Sequence, residues 1–130
     1  MKKGYILIET LSALILFAFL LYFTLNFYLN QINILNLNNK KLDSNINKRI
    51  AIEFLAEKIK NASSIVLNGD VVYIDNKKIY LKNDVLIYDY GSVQIADGIK
   101  KFSVIYLGKG LYEVKVESLY SSNSVIVKNR

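Results

Sequence analysis

The chain contains no cysteine, no histidine, no proline and no tryptophan among its 130 residues. Without cysteine, no disulfide can hold the fold and no thiol chemistry is available. With histidine missing too, only carboxylates remain as metal ligands, which disfavours zinc. No metal or other cofactor is expected. Histidine is also the commonest acid–base group near neutral pH, so its absence argues against an enzyme. Glycine is scarce as well. From Tyr5 to Asn61 there is neither a glycine nor a proline, so nothing in that stretch interrupts a helix.

What the chain has in excess is apolar side chains: 52% of residues are hydrophobic and the mean hydropathy is +0.23. That excess is concentrated before residue 30. If a membrane segment takes the first quarter, about 100 residues remain, enough for one small domain with its own core. The net charge of +6 suits an anionic membrane surface, a cell wall or nucleic acid without choosing among them. Solubility is its plainest use.

Tyr5 to Leu29 is almost wholly apolar, interrupted by Glu9, Thr10, Ser12, Thr24 and Asn26. About 20 apolar residues in a helix span a bilayer. A cleavable secretory signal would have an apolar core of about 7–15 residues ending in a small-residue cleavage site. Here Tyr22, Phe23, Phe27 and Tyr28 occupy the positions where small residues would be needed. Lys2 and Lys3 before the span give a slight preference for the amino terminus inside.

Beyond the span, Leu35, Leu42, Ile46, Ile50, Phe54 and Ile59 recur mostly at spacings of four and seven, which predicts one apolar helix face. Lys40, Lys41, Lys48, Arg49, Glu53, Glu57, Lys58 and Lys60 are assigned to the other face. The asparagine-rich stretch from Asn26 to Asn39 is the weakest part of the helix, because asparagine is a poor helix former. A continuous helix over 5–61 would be roughly 85 Å long, more than a globular core of this size needs.

After Asn61 the period falls to two. Strands are expected over 64–67, 70–74, 77–82, 85–90, 99–107, 111–118 and 124–128, punctuated by Asn68-Gly69, Asp75-Asn76, Asn83-Asp84, Gly91-Ser92 and Gly108-Lys109-Gly110. Val114 and Val116 alternate with Glu113, Lys115 and Glu117, as in an antiparallel sheet with one wet face, and the amphipathic helix is the obvious cover for the dry one. The expected fold class is α+β: a long N-terminal helix, membrane-spanning in its first half and amphipathic in its second, packed on a small antiparallel β-sheet. The segments are 1–4, 5–29, 30–61 and 62–130.

The informative motif is Gly4-Tyr5-Ile6-Leu7-Ile8-Glu9-Thr10-Leu11, preceded by Met1-Lys2-Lys3. A short basic leader, a glycine, an aromatic, three apolar residues and then a glutamate resembles the prepilin leader of type IV pilins and pseudopilins. The resemblance implies that a prepilin peptidase recognises Lys3, Gly4 and Tyr5, cuts between Gly4 and Tyr5, and that Tyr5 is then N-methylated. It implies that Glu9 takes the family's assembly glutamate position. The implied partners are the peptidase, other pilin or pseudopilin subunits, an inner-membrane assembly platform, and membrane lipid before assembly. The implied location is a single-pass cytoplasmic membrane protein, amino terminus in and C-terminal domain outside, which later joins a filament. Tyr5 stands where the family usually has Phe. The chain also lacks the mid-helix proline and the carboxy-terminal cysteine pair of many major pilins. Those departures point to a minor pilin or a pseudopilin, and the tail, with the helical stretch 50–59, Ile79-Tyr80-Leu81, 98–102 and 111–116, resembles the minor pseudopilins of the J type and their competence-system relatives.

Physics supports the glutamate independently. A carboxylate within an apolar span costs up to about 2.5–3.5 kcal/mol on insertion scales, less near the interface, so it marks a functional position. Cleavage at Gly4 creates an amine on Tyr5, four residues before Glu9, and in a staggered stack the amine of one subunit can meet the Glu9 of the next. Two rival readings stand beside this one. The first is a DNA-binding tip module, in which Tyr80, Tyr88, Tyr90, Tyr106 and Tyr112 stack on bases while Lys82, Lys100, Lys101 and Lys109 hold phosphate. Tyrosine is equally an ordinary strand residue. The second is an anchored envelope protein that is never trimmed. Asp70, Asp75, Asp84, Asp89 and Asp97 form no EF-hand pattern, and turn and surface roles are expected for them.

Overall fold

A computed structural model describes residues 2–91 and 93–130. The architecture is α+β, with one long helix, α1 (Lys2–Lys60), and two antiparallel sheets. A long apolar N-terminal helix whose later turns pack on antiparallel strands is the layout that the resemblance to pilins implies. The chain divides into two compact units, 1–39 and 40–130.

The first unit is helical throughout its described residues, including the asparagine-rich stretch. Its side chains are exposed almost without exception, Ile32 being half-buried. The helix is long and apolar enough to cross a membrane, and none of its most apolar window is buried.

In the second unit the strands are β1 (Ile65–Asn68), β2 (Val71–Ile74), β3 (Lys77–Lys82), β4 (Val85–Tyr88), β5 (Val93–Ala96), β6 (Ile99–Gly108), β7 (Leu111–Ser118) and β8 (Ser122–Lys128). They form a five-stranded meander, β1 to β5, and a three-stranded meander, β6 to β8. The single expected sheet is therefore two. β5 was not anticipated, because Val93-Gln94-Ile95-Ala96 is too short and too mixed to show a period of two. The turns explain why the other strands end where they do. Asp75-Asn76, Asn83-Asp84 and Lys109-Gly110 have both central residues at positive φ. They join two-residue hairpins whose left-handed turns match the twist of the flanking strands. Asn and Asp tolerate that region better than other residues with a β-carbon. Asp75 is held further: its Oδ1 accepts hydrogen bonds from the backbone N–H groups of Ser63 (2.8 Å) and Ser64 (3.0 Å), just past the helix end.

The core joins helix and both sheets. Ala51, Leu55 and Ile59 of α1 are fully buried with Val72, Ile74, Ile79 and Leu86 of the first sheet and Ile99, Phe102, Val114 and Val116 of the second. The buried stripe of α1 is thus Lys48, Ala51, Leu55 and Ile59, with Ile52 and Phe54 at its margin. This corrects the expected face. Ile59 and Phe54 belong to it, but Leu35, Leu42, Ile46 and Ile50 are exposed, Ile46 and Ile50 by 48% and 45%. Ala51, not bulkier Ile46 or Ile50, faces the sheets. Lys48, assigned to the wet face, is 1% exposed. Its ammonium donates to Ser121 Oγ, and Ser121 Oγ in turn lies 3.4 Å from Asn45 Oδ1. On the wet face Arg49 pairs with Glu53 at 2.8 Å.

The end of α1 is capped from far along the chain. Asn129 Nδ2 donates to the carbonyls of Ile59 (2.6 Å) and Ala62 (3.1 Å). The backbone N–H of Arg130 donates to the carbonyl of Lys60 at 3.4 Å. The carbonyls of Ile59 and Lys60 have no partner inside the helix; that of Ile59 also accepts from the backbone N–H of Ala62 at 3.3 Å, so donors from beyond the helix replace water at this end.

Candidate functional site: a lone carboxylate in an uncovered apolar helix

The side chains that interrupt the apolar run divide into two kinds. Thr10, Ser12 and Thr24 satisfy themselves within the helix. Thr10 Oγ1 donates to the carbonyl of Ile6, Ser12 Oγ to that of Ile8 at 2.8 Å and Thr24 Oγ1 to that of Leu20 at 2.7 Å. Bonding to the carbonyl one turn back hides a hydroxyl from apolar surroundings. Glu9 is the other kind. Its carboxylate makes no hydrogen bond or ion pair with any described residue, and a carboxylate has no donor of its own to offer the helix. Its neighbours Tyr5, Ile6 and Ile8 expose most of their surface. A carboxylate in this setting, once taken out of water, must either take up a proton or meet a cation.

Gly4 lies in the first turns of α1, and no atom approaches within 4 Å of the place a β-carbon would occupy. The Gly4 side of the Gly4–Tyr5 bond thus has no side chain packed against it. Lys3, Gly4, Tyr5 and Glu9 lie within the first eight residues of the helix, exposed. The helix has no acidic residue in its first turn, so Glu9 is the first negative charge along it.

In the second unit the expected nucleic-acid residues separate. Tyr88 packs edge-on against Phe54, with ring centroids 5.2 Å apart, and Lys58 and Lys77 lie over its ring at 5.2 and 5.5 Å. It is a structural residue. Tyr106 and Tyr112 contact each other at 5.1 Å across β6 and β7. Tyr80, Lys100 and Lys101 line one groove together with Lys78, which sequence reading passed over, whereas Lys82 is outside it. Asp84 is ion-paired with Lys100 at 2.5 Å. Asp97 accepts a hydrogen bond from Asn47 Nδ2 at 2.6 Å. No group of acidic side chains able to hold a metal ion occurs among the described residues. The hydrogen bond to Glu53 and its charge raise the Arg49 guanidinium above its ordinary value.

None of the family models, curated proteins or solved structures compared with the chain matches it.

Proposed function

We propose that this chain is a structural subunit of a type IV pilin-like filament, made as a short-leader precursor. The observation that carries the reading is Glu9: an exposed carboxylate without a partner among the described residues, in a helix otherwise apolar and internally satisfied. A prepilin peptidase cutting between Gly4 and Tyr5, with Lys3 on the leader side, would leave a positive amine at Tyr5. The amine on one subunit meets Glu9 of its neighbour as helices stack. Each neutralises the other in surroundings that would penalise either alone. A subunit in the wrong axial register leaves a buried charge unpaired, so the pair favours one register.

Before assembly the 5–29 helix rests in the cytoplasmic membrane, with the β-rich unit outside. Its partners are the peptidase, an assembly platform and companion pilins or pseudopilins. The missing mid-helix proline and cysteine pair favour a minor subunit or pseudopilin over a major pilin. The chain is a substrate of processing enzymes and has no catalytic role of its own.

The test is an intact-mass measurement on protein extracted from its native membrane. The expected mass is lower by residues 1–4 and higher by one methyl group. A mature, functioning molecule that retains Lys2, Lys3 and Gly4 overturns the reading and favours an untrimmed membrane anchor.

A further inference from the structure

A groove of about 400 Å³ opens in the second unit where β6 runs beside the first sheet. Its lining includes Val71 from β2, Lys78 and Tyr80 from β3, and Lys100 and Lys101 from β6. That volume lies at the small end of ligand sites, which span about 300–1,000 Å³. It is room for one nucleotide, not for a duplex. Three lysines and one aspartate, Asp70, give the wall a positive excess. Lys100 is already engaged by Asp84. Lys78 and Lys101 therefore supply the charge for a ligand. The ammonium of Lys78 lies 4.6 Å from the centre of the Tyr80 ring. An ammonium held by a ring face at a half-exposed site is held weakly. A phosphate is a stronger partner for it, and its departure bares the ring.

From this geometry we infer that the groove binds single-stranded nucleic acid, with Lys78 and Lys101 on successive phosphates and one base against Tyr80. Positive charge tracking a backbone beside an aromatic platform is the chemistry of sequence-tolerant single-strand binding. The proposal is independent of Glu9 and of filament assembly.

The test uses the full chain in neutral-lipid nanodiscs and a fluorescent oligothymidylate of about twelve nucleotides, within the usual range of single-strand site sizes. Fluorescence anisotropy should show saturable binding. Two phosphates neutralised on a single strand give a log–log salt slope of about −1.4, so affinity should fall about seven-fold between about 50 and 200 mM salt. Lys78→Gln with Lys101→Gln should weaken binding at least about ten-fold and flatten the salt slope. Lys101→Gln alone, at an exposed position, should remove about half the slope and guards against misfolding of the double variant. Tyr80→Leu should weaken the oligonucleotide but leave polyphosphate of equal charge unaffected. Lys109→Gln, in the β6–β7 turn away from the groove, should change nothing. Absence of saturable binding overturns the proposal. So does an equal loss from Lys109→Gln, or polyphosphate that binds as tightly as the oligonucleotide and is equally weakened by Tyr80→Leu.

Discussion

The buried lysine yields a quantitative prediction. Lys48 is 1% exposed and its ammonium donates to Ser121 Oγ from the far end of the β7–β8 connection. A hydrogen bond to a charged group contributes about 1.5–3 kcal/mol, and losing the acceptor leaves a buried cation unsatisfied. Ser121→Ala should therefore destabilise the second unit by about 2 kcal/mol. For a unit of about 90 residues, each kcal/mol shifts Tm by about 4–8 °C, so a drop of about 8–16 °C is expected. Lys48→Met removes the ammonium and keeps an unbranched chain of similar length. Lost hydrogen bonding and lost desolvation cost then oppose each other, and stability should be unchanged or higher, since buried charges exchanged for packed apolar groups are often neutral or stabilising. In that background Ser121→Ala should cost under about 0.5 kcal/mol, as at an ordinary surface site. The 3.4 Å contact to Asn45 is too long to add much. The coupling of about 2 kcal/mol exceeds the 0.3–0.5 kcal/mol by which independent sites depart from additivity. The assay is thermal and urea unfolding of the full chain in micelles, followed by tyrosine fluorescence and the β-sheet circular dichroism signal. Equal costs for Ser121→Ala in both backgrounds refute the reasoning.

Two further outcomes are expected. Asn129→Ala removes the amide hydrogen bonds to the carbonyls of Ile59 and Ala62, the former keeping the backbone N–H of Ala62, and should lower stability by about 1–2 kcal/mol; Asn123→Ala, on exposed β8, is the control and should stay within about 0.5 kcal/mol in the same unfolding assay. Glu9→Ala should leave membrane insertion intact or improved, because the insertion cost of a carboxylate disappears. Sedimentation of sheared cell-surface material should then show the variant confined to the membrane, and polymer at the normal level would count against the proposed pairing.

Sequence reading reached the strands through their turns. Asp75-Asn76 and Asn83-Asp84 are local signals: the residues that tolerate positive φ are the ones that mark the reversal. β3 and β7 appear at their expected bounds for that reason. The division into two sheets was not legible, since which strand ends a meander depends on how sheets meet the helix. Helix rotation was hidden for a related cause. Periodicity weighs large apolar residues, so it selected Ile46 and Ile50. Packing buries the face that carries Ala51, Leu55 and Ile59, and that face includes a lysine, to which Ser121, distant in sequence, supplies an oxygen. The groove was half visible. Tyr80, Lys100 and Lys101 stood out as basic and aromatic, but nothing local distinguishes Lys78 inside it from Lys82 outside it. For the motif at Gly4 to Glu9 local sequence is nearly the whole story, because no other described element covers it.

The order of strands has a kinetic consequence. In both sheets every strand pairs with its immediate predecessor or successor in the chain, and tight hairpins keep loop-closure entropy small. Each meander can therefore zip from a single hairpin nucleus without searching for remote partners, which places these sheets among rapidly forming β structures. The distant associations, Lys48 with Ser121 and Ile59 with Asn129, are 73 and 70 residues apart. They act as late latches that fasten helix to sheet, so substitutions there should accelerate unfolding while leaving the refolding rate nearly untouched.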